Sequence, residues 1–258
     1  MISKKVVVIG AGAAGLMAGA TAALYGASVT IIEKNKRVGR KIMITGKGRC
    51  NLTNNCDVQT FINNVPVNGR FLYSAINAFT PEDTIEFFES KGLKTKTERG
   101  NRVFPVSDKS VGVVDTMHDY AVESGCKIVC DTANALILED GAVIGVKCEE
   151  NTYYADSVII CCGGKSYPLT GSTGDGYTLA KQAGHTIVPL KPSLVPFTSG
   201  DKQCKDMQGL ALKNVALRIV DKNSKKIVYS DFGEMLFTHF GMSGPMILSA
   251  SSHIRDIQ

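Results

Sequence analysis

Apolar residues near the start of the chain come in unbroken blocks rather than in alternation. Lys4 to Ile9, with Val6-Val7-Val8-Ile9 at its centre, and Ser28 to Glu33, with Val29 and Ile31-Ile32, read as strands buried on both faces. Between them Ala13 to Tyr25 is alanine-rich and free of proline, which predicts a helix. Strand, glycine turn, helix and strand in that order make a parallel βαβ unit and place the chain in the α/β class.

Helical signals return twice. Thr80-Pro81-Glu82-Asp83 supplies an N-cap, a proline at the first helical position and acids in the first turn, predicting a helix from about Pro81 to Lys91. Val111, Val114, Met117 and Ala121 recur at helical spacing and predict another over Ser110 to Glu123. From Lys127 to Cys162 the rhythm shortens into strands split by turns, notably Glu139-Asp140-Gly141, and predicts an antiparallel β-meander appended to the parallel sheet. Its last strand, Val158 to Cys162, runs into Gly163-Gly164, and Asp175 caps a helix running towards Ala183. Pro189, Pro192 and Pro196 mark a crossing into a second domain, so the division is expected between residues 1–190 and 191–258. There, Ala216 to Phe237 reads as strands around a Lys222-Asn223-Ser224 turn. Ser243-Gly244-Pro245 opens a helix with room for a turn or two after Ile247, and no capping glycine follows; this reads as a fragment.

Composition narrows the class. The 258 residues carry 29 Lys and Arg against 24 Asp and Glu, a net charge of +5, and 44% are hydrophobic. That suits an ordinary globular protein and excludes collagen-like, coiled-coil and disordered chains. The positive excess is spread along the chain, so no nucleic-acid partner is expected. No apolar run approaches the ~18 residues of a membrane span. The run after Lys4-Lys5 is cut short by glycines before it can serve as a secretory signal, so the expectation is cytoplasmic, with no membrane partner. Eight cysteines then read as reduced thiols, and without paired C-x-x-C sets no metal is expected.

Glycine departs from the average, at 26 residues or about a tenth against a usual ~7%. Gly10-Ala11-Gly12-Ala13-Ala14-Gly15 has the G-x-G-x-x-G form at the strand-to-helix turn, and Glu33 closes the next strand about 20 residues on. In that setting Gly10 permits the tight turn, Gly12 lets backbone approach a pyrophosphate, and Gly15 lets the helix pack on the sheet. The pyrophosphate would face the positive end of the helix. Glu33 accepts ribose hydroxyls and repels a 2′-phosphate, so FAD or NAD fits and NADP does not. A second stretch, Gly39 to Asn54, crowds glycines, cations and amides with little period. It is costly to order unless something anionic or flat fills it, and a solvated basic loop is the alternative.

Four blocks carry a family resemblance: Val8 to Gly15; Gly39-Arg40-Lys41 with Thr45 to Asn54; Gly163 to Pro168 with Gly171 to Gly176; and Gly233 to His239 with Ser243-Gly244-Pro245. Over its whole length the chain resembles the family of FAD-dependent flavoproteins that includes aminoacetone oxidase and a bile-acid reductase. The resemblance implies a Rossmann-type FAD-binding domain, a β-rich second domain inserted into it and only begun here, and a returning segment that completes the FAD site and has no counterpart in this chain. Carried over by motif, Gly10, Gly12, Ala13, Ala14 and Gly15 hold the pyrophosphate and Glu33 the adenosine ribose. Lys34, Arg40 and Lys41 begin a cofactor-facing loop, and Thr45, Gly46, Gly48, Arg49, Cys50 and Asn51 pass near the isoalloxazine. Ala133 offers backbone to the adenine, and Gly163 and Gly164 end a strand at the carboxyl edge of the sheet, where ligands of such sheets bind. The implied activity is hydride transfer through flavin N5 to or from an unidentified small molecule, in amine oxidation or enone reduction, with NAD(P)H open as electron donor and the oligomeric state unspecified.

Charge alone adds the expectation that Lys47 or Arg49 steadies the anionic reduced ring near its N1–C2 carbonyl region. His239 and Tyr167 can exchange protons, although Phe237 and Phe240 beside His239 favour a structural role, and no catalytic residue is assigned. Two other readings stand beside the oxidoreductase. One is a truncated flavoprotein or nucleotide-binding module without turnover; the other is a flavin disulfide reductase using Cys50 and Cys56, whose spacing is one residue longer than that type calls for.

Overall fold

The structure, a computed structural model, describes residues 3–254. Four parallel strands form the main sheet in the order Ser157–Ile160, Lys5–Ile9, Ser28–Glu33, Lys127–Cys130. This is the strand order of half a Rossmann fold, with the fourth strand returning to the far side of the first. The register is unbroken: Val8 lies between Ile159 and Ile31, and Ile9 between Ile160 and Ile32.

Alternate residues of these strands point to opposite faces, and both faces are covered, which is why the strand blocks are apolar throughout. On one face Val8, Val29 and Ile31 pack with Leu16 and Ala20 of the helix Ala13–Leu24 and with Val113, Val114 and Met117 of the helix Ser110–Glu123. On the other, Val7, Ile9 and Ile32 pack with Leu136, Val146 and Cys148 of a three-stranded antiparallel sheet and with Leu179 of the helix Asp175–Gln182. Each Val, Leu, Ile or Met side chain buried there contributes about 1.5–3 kcal/mol against exposure.

The antiparallel portion is narrower than the rhythm of the sequence suggested. Lys127–Cys130 and Ser157–Ile160, the ends of the expected meander, join the parallel sheet, and only Ala133–Glu139, Ala142–Cys148 and Thr152–Tyr154 pair antiparallel. The predicted turn is a two-residue hairpin loop with Asp140 and Gly141 at φ +48 and +78, the hand that matches strand twist. At the handover between the sheets Asp131 is buried, and its carboxylate accepts the N–H groups of Thr132 (2.8 Å), Glu150 (3.2 Å) and Asn151 (3.1 Å) and the Asn151 side-chain amide (3.2 Å).

The predicted helices form as Ala13–Leu24, Pro81–Ser90, Ser110–Glu123, Asp175–Gln182 and Pro245–His253; the fourth is capped by Gly174 without a side-chain hydrogen bond, and Asp175, expected as its cap, is its first residue. Thr80 closes a capping box, its N–H donating to Asp83 Oδ2 (2.7 Å) while the Asp83 N–H donates to Thr80 Oγ1 (3.0 Å). A small antiparallel sheet of Thr53–Asn54, Arg102–Pro105 and Thr95–Glu98 was not foreseen. Its strands are two to four residues long and too short to show a period.

The chain divides into two compact units, one of residues up to Asn64 with Gly69–Ile187, the other of Val65–Asn68 with the residues from Val188 on. The second unit is built on an antiparallel sheet ordered Phe197–Thr198, Gly241–Ser243, Ile227–Thr238, Ala211–Val220. Met246 and Ile247 of the helix Pro245–His253 pack against Met235 of that sheet. The turn expected at Lys222-Asn223-Ser224 is closed by Asp221, whose Oδ1 accepts the Ser224 N–H at 2.6 Å. Among the described residues no helix is long and apolar enough to cross a membrane.

Candidate cofactor site

In the first unit the strands Lys5–Ile9 and Ser157–Ile160 end side by side where the strand order reverses, the position of the ligand crevice in open α/β sheets. A cleft of about 770 Å³ opens there. The three fingerprint glycines are required for different reasons. Gly10 has φ +103, and a Cβ on it would lie 2.6 Å from the Cys161 carbonyl oxygen. A Cβ on Gly15 would lie 1.8 Å from the Gly10 carbonyl oxygen, so the helix can pass the strand end only without one. Gly12 has ordinary extended backbone, φ −85, and a Cβ there would meet nothing within 4 Å. Packing does not demand glycine at 12, where the space a side chain would enter borders the cleft.

The helix Ala13–Leu24 starts at this point without a side-chain cap, and Leu16 N–H bonds back to Gly12 O at 3.0 Å. Ala13 and Ala14, in the first turn, line the cleft, where helix-start amides and the positive end of the macrodipole suit an anion. Glu33 borders the same space, half-buried and already oriented. Its Oε2 accepts the Ala11 N–H (2.8 Å), and its Oε1 accepts the Asn35 N–H (2.9 Å) and side-chain amide (2.6 Å). Three donors leave a carboxylate of about four acceptor positions room for one hydroxyl.

Three cations line the bank beyond Glu33. Lys34 Nζ donates to Thr173 Oγ1 (2.7 Å) and Asp175 Oδ2 (2.6 Å). Burial pushes the Asp175 carboxyl up, but the Lys34 and Thr173 hydrogen bonds outweigh it and hold the group below the usual range. Arg40 Nη1 donates to Asn35 Oδ1 (2.6 Å), and Lys41 Nζ to Ser166 Oγ (3.2 Å), with desolvation pulling Lys41 below its ordinary value.

The structure brings Gly10, Gly12, Ala13, Ala14, Glu33 and Lys34 together on the cleft with Arg40, Lys41, Thr45, Cys50 and Asn51. Ala133 and Gly163 line it from the other sheet edge. Gly15, Gly46, Gly48, Arg49 and Gly164 do not line it. Gly15 acts through packing. Gly46, Lys47, Gly48 and Cys50 all have positive φ and bend the chain so that Thr45, Cys50 and Asn51 face the cleft while residues 46–49 form the outside of the bend.

Lys47 and Arg49, the expected flavin-steadying cations, do not line the cleft. Arg49 donates to Glu98 Oε1 (2.9 Å) and Asp108 Oδ1 (3.3 Å) and lies 4.0 Å above the Phe104 ring, and the Glu98 hydrogen bond leads in raising its pKa. The segment Arg40–Ile44, aperiodic in sequence, is a short helix started by Gly39 at φ +68. Tyr167 is exposed with φ +53, and His239, in the second unit, stands edge-on to Phe240 with ring centres 4.9 Å apart. All eight cysteines are free; Cys50 is buried on the cleft with its thiol pushed up by burial, and Cys56 does not line it.

Sequence reasoning missed the apolar end of the cleft, formed by Phe87, Phe88, Val113 and Met117, because their spacing is that of any core stripe. It also missed Thr170, Gly171 and Ser172, which reach the cleft through loop conformation. The side-chain-free surface at Gly12, the uncapped helix start and the pre-set carboxylate fit FAD: Ala13 and Ala14 with Arg40 and Lys41 would hold its diphosphate, and Glu33 its adenosine ribose.

Comparison with known proteins agrees. The pattern of the HI0933-like protein Rossmann domain matches residues 4–250. The 3-dehydro-bile acid delta(4,6)-reductase of Clostridium scindens is 32% identical over 96% of this chain and 59% of its own length. The ribosomal RNA dihydrouridine synthase of Haemophilus influenzae is 30% identical over 96% of this chain and 61% of its own. The chain thus spans about 60% of the length of these relatives. Among solved structures, Mycobacterium smegmatis Sdh1 in complex with UQ1 shares the fold, with a TM-score of 0.52 at 21% identity over 70% of this chain and 38% of that one. The chain belongs to the HI0933-like family of FAD-dependent Rossmann proteins.

Proposed function

We propose that this chain forms the dinucleotide-holding part of a FAD-dependent reductase that saturates a carbon–carbon double bond conjugated to a carbonyl group. The observation that carries the cofactor part is Gly12, a glycine with ordinary backbone whose missing side chain leaves open only the space over an uncapped helix start. When bound, FAD supplies hydride donation and acceptance at N5. The chain's residues bind and orient: Ala13 and Ala14 amides with Arg40 and Lys41 neutralise the diphosphate, and Glu33 fixes the ribose. Phe87, Phe88, Val113 and Met117 keep water from the inner end of the cleft.

The reduction direction is supported by the relatives. A delta(4,6)-reductase of a 3-oxo steroid and a dihydrouridine synthase both name the saturation of a C=C bond next to C=O. NAD(P)H is the proposed electron donor, and a small-molecule enone the proposed substrate. A second reading, a uracil base within RNA, rests on the ribosomal RNA relatives.

The test uses the FAD-loaded protein reduced without oxygen and then offered, separately, a 4-en-3-one steroid acid, a uridine-containing ribosomal RNA fragment, or buffer, with flavin absorbance as readout. Reoxidation by the enone supports the first reading, and reoxidation by the RNA alone moves the assignment to the second. Reoxidation by neither, with oxidised flavin bleached by a primary amine, overturns the proposal in favour of amine oxidation.

A further inference from the structure

Between the strand Ser157–Ile160 and the helix Asp175–Gln182 the chain makes an excursion, residues 163–174, bounded by left-handed glycines, Gly163 at φ +72 and Gly174 at φ +94. Its backbone hydrogen bonds are local, from Thr170 to Tyr167, Gly171 to Pro168 and Thr173 to Gly171. Among the described residues, what joins it to the opposite bank of the cleft is two lysine side chains. Lys34 holds Thr173 and Asp175, and Lys41 reaches Ser166. Gly171 also sits so close to the bank that a Cβ on it would be 2.6 Å from Asn35 Nδ2.

The three cations of that bank are not equivalent. Arg40 and Lys41 have neutral partners, an amide and a hydroxyl, and keep their net charge for an anionic ligand. Lys34 is neutralised by Asp175, while the Thr173 hydroxyl accepts from Lys34 and donates to Asp175 (2.9 Å). We infer that Lys34 is a positioning residue rather than a phosphate ligand: with Thr173 and Asp175 it clasps the 163–174 excursion across the cleft and thereby sets how fast the bound dinucleotide leaves. A compact loop whose only cross-cleft anchors are side chains opens as a unit when the anchors let go. The inference rests on FAD occupying the cleft and is independent of the substrate.

The experiment follows release of FAD from the loaded protein on dilution, read by recovered flavin fluorescence. Lys34→Met and Asp175→Asn should each speed release about fivefold, the double variant should be no faster than either, and association of the double variant, which leaves the net charge of the site unchanged, should stay within about twofold of the parent. Lys41→Met, which removes free charge as well as the Ser166 contact, should slow association and flatten its salt dependence in addition to any change in release. Multiplied effects in the double variant, parental release from both singles with native circular dichroism, or slowed association in the double variant would each overturn the inference. If the singles fold poorly, the exchanged pair Lys34→Asp with Asp175→Lys decides: slow release restored supports the clasp, fast release refutes it. Amide hydrogen exchange of residues 165–173, measured without cofactor, should quicken in Lys34→Met. That arm tests the clasp even if the parent holds no FAD, a result that would fail the cofactor reading instead; unchanged exchange would refute the clasp.

Discussion

Two glycine-rich turns line the cleft after neighbouring strands, and they are glycine-rich for opposite reasons. In residues 10–15, the atoms that exclude a Cβ are backbone: Cys161 O at 2.6 Å from Gly10 and Gly10 O at 1.8 Å from Gly15. In residues 163–174 they are side chains: Ser172 Oγ at 2.8 Å from Gly163, Asn35 Nδ2 at 2.6 Å from Gly171, Lys165 Cε at 2.7 Å from Gly174. Backbone cannot yield without moving the sheet, whereas side chains rotate away. The first turn is thus a fixed floor and the second an adjustable wall. A nucleotide site can use both, one to set the phosphate position and one to admit and retain the ligand.

The contrast orders the expected effects of substitution. Gly15→Ala should be the most damaging, costing about 3 kcal/mol or more by urea unfolding, because helix and strand must separate. Gly10→Ala, which adds left-handed strain to a backbone contact, should cost about 2–3 kcal/mol. Gly174→Ala should cost about 1–2 kcal/mol, from its φ alone, since Lys165 can swing aside. A Gly174→Ala loss as large as that of Gly15→Ala would erase the distinction between floor and wall.

A smaller, pH-dependent effect belongs to Asp131. Burial pushes its carboxyl up, but the N–H groups of Glu150, Asn151 and Thr132 pull it below its ordinary value. A depressed folded-state pKa contributes stability that is present above the unfolded value of about 3.9 and lost as pH falls through the folded one. Asp131→Asn should therefore lower Tm by a similar amount from neutrality down to about pH 5, and the gap to the parent should narrow below about pH 4. A gap that widens on acidification would show the sign is wrong.

The βαβ start, the capped helix after Thr80 and the glycine turn with Glu33 that borders the cleft were legible because each depends on residues close in sequence. Glu33 reads as a ribose ligand from its distance to Gly10, and the structure shows it oriented by Ala11 and Asn35. What escaped was long-range. Arg49 reads from the sequence as a free loop cation because a loop sequence does not reveal which side of a bend a residue occupies; its partners Glu98 and Asp108 lie some fifty residues on. The parallel pairing of Lys127–Cys130 was hidden in the same way, since its partner is Ser28–Glu33. Lys34 reads from the sequence as the start of a cofactor-facing loop, and its partner Asp175 lies 141 positions away.

The most direct test of the central claim is flavin content in Gly12→Val. The backbone at Gly12 is ordinary and its surroundings empty, so the account predicts a protein with parental Tm, its helix intact by circular dichroism, that holds almost no FAD by absorbance per chain. A Gly12→Val protein that folds and carries FAD at parental occupancy would contradict it, because the open space at the helix start would then not be where the cofactor lies.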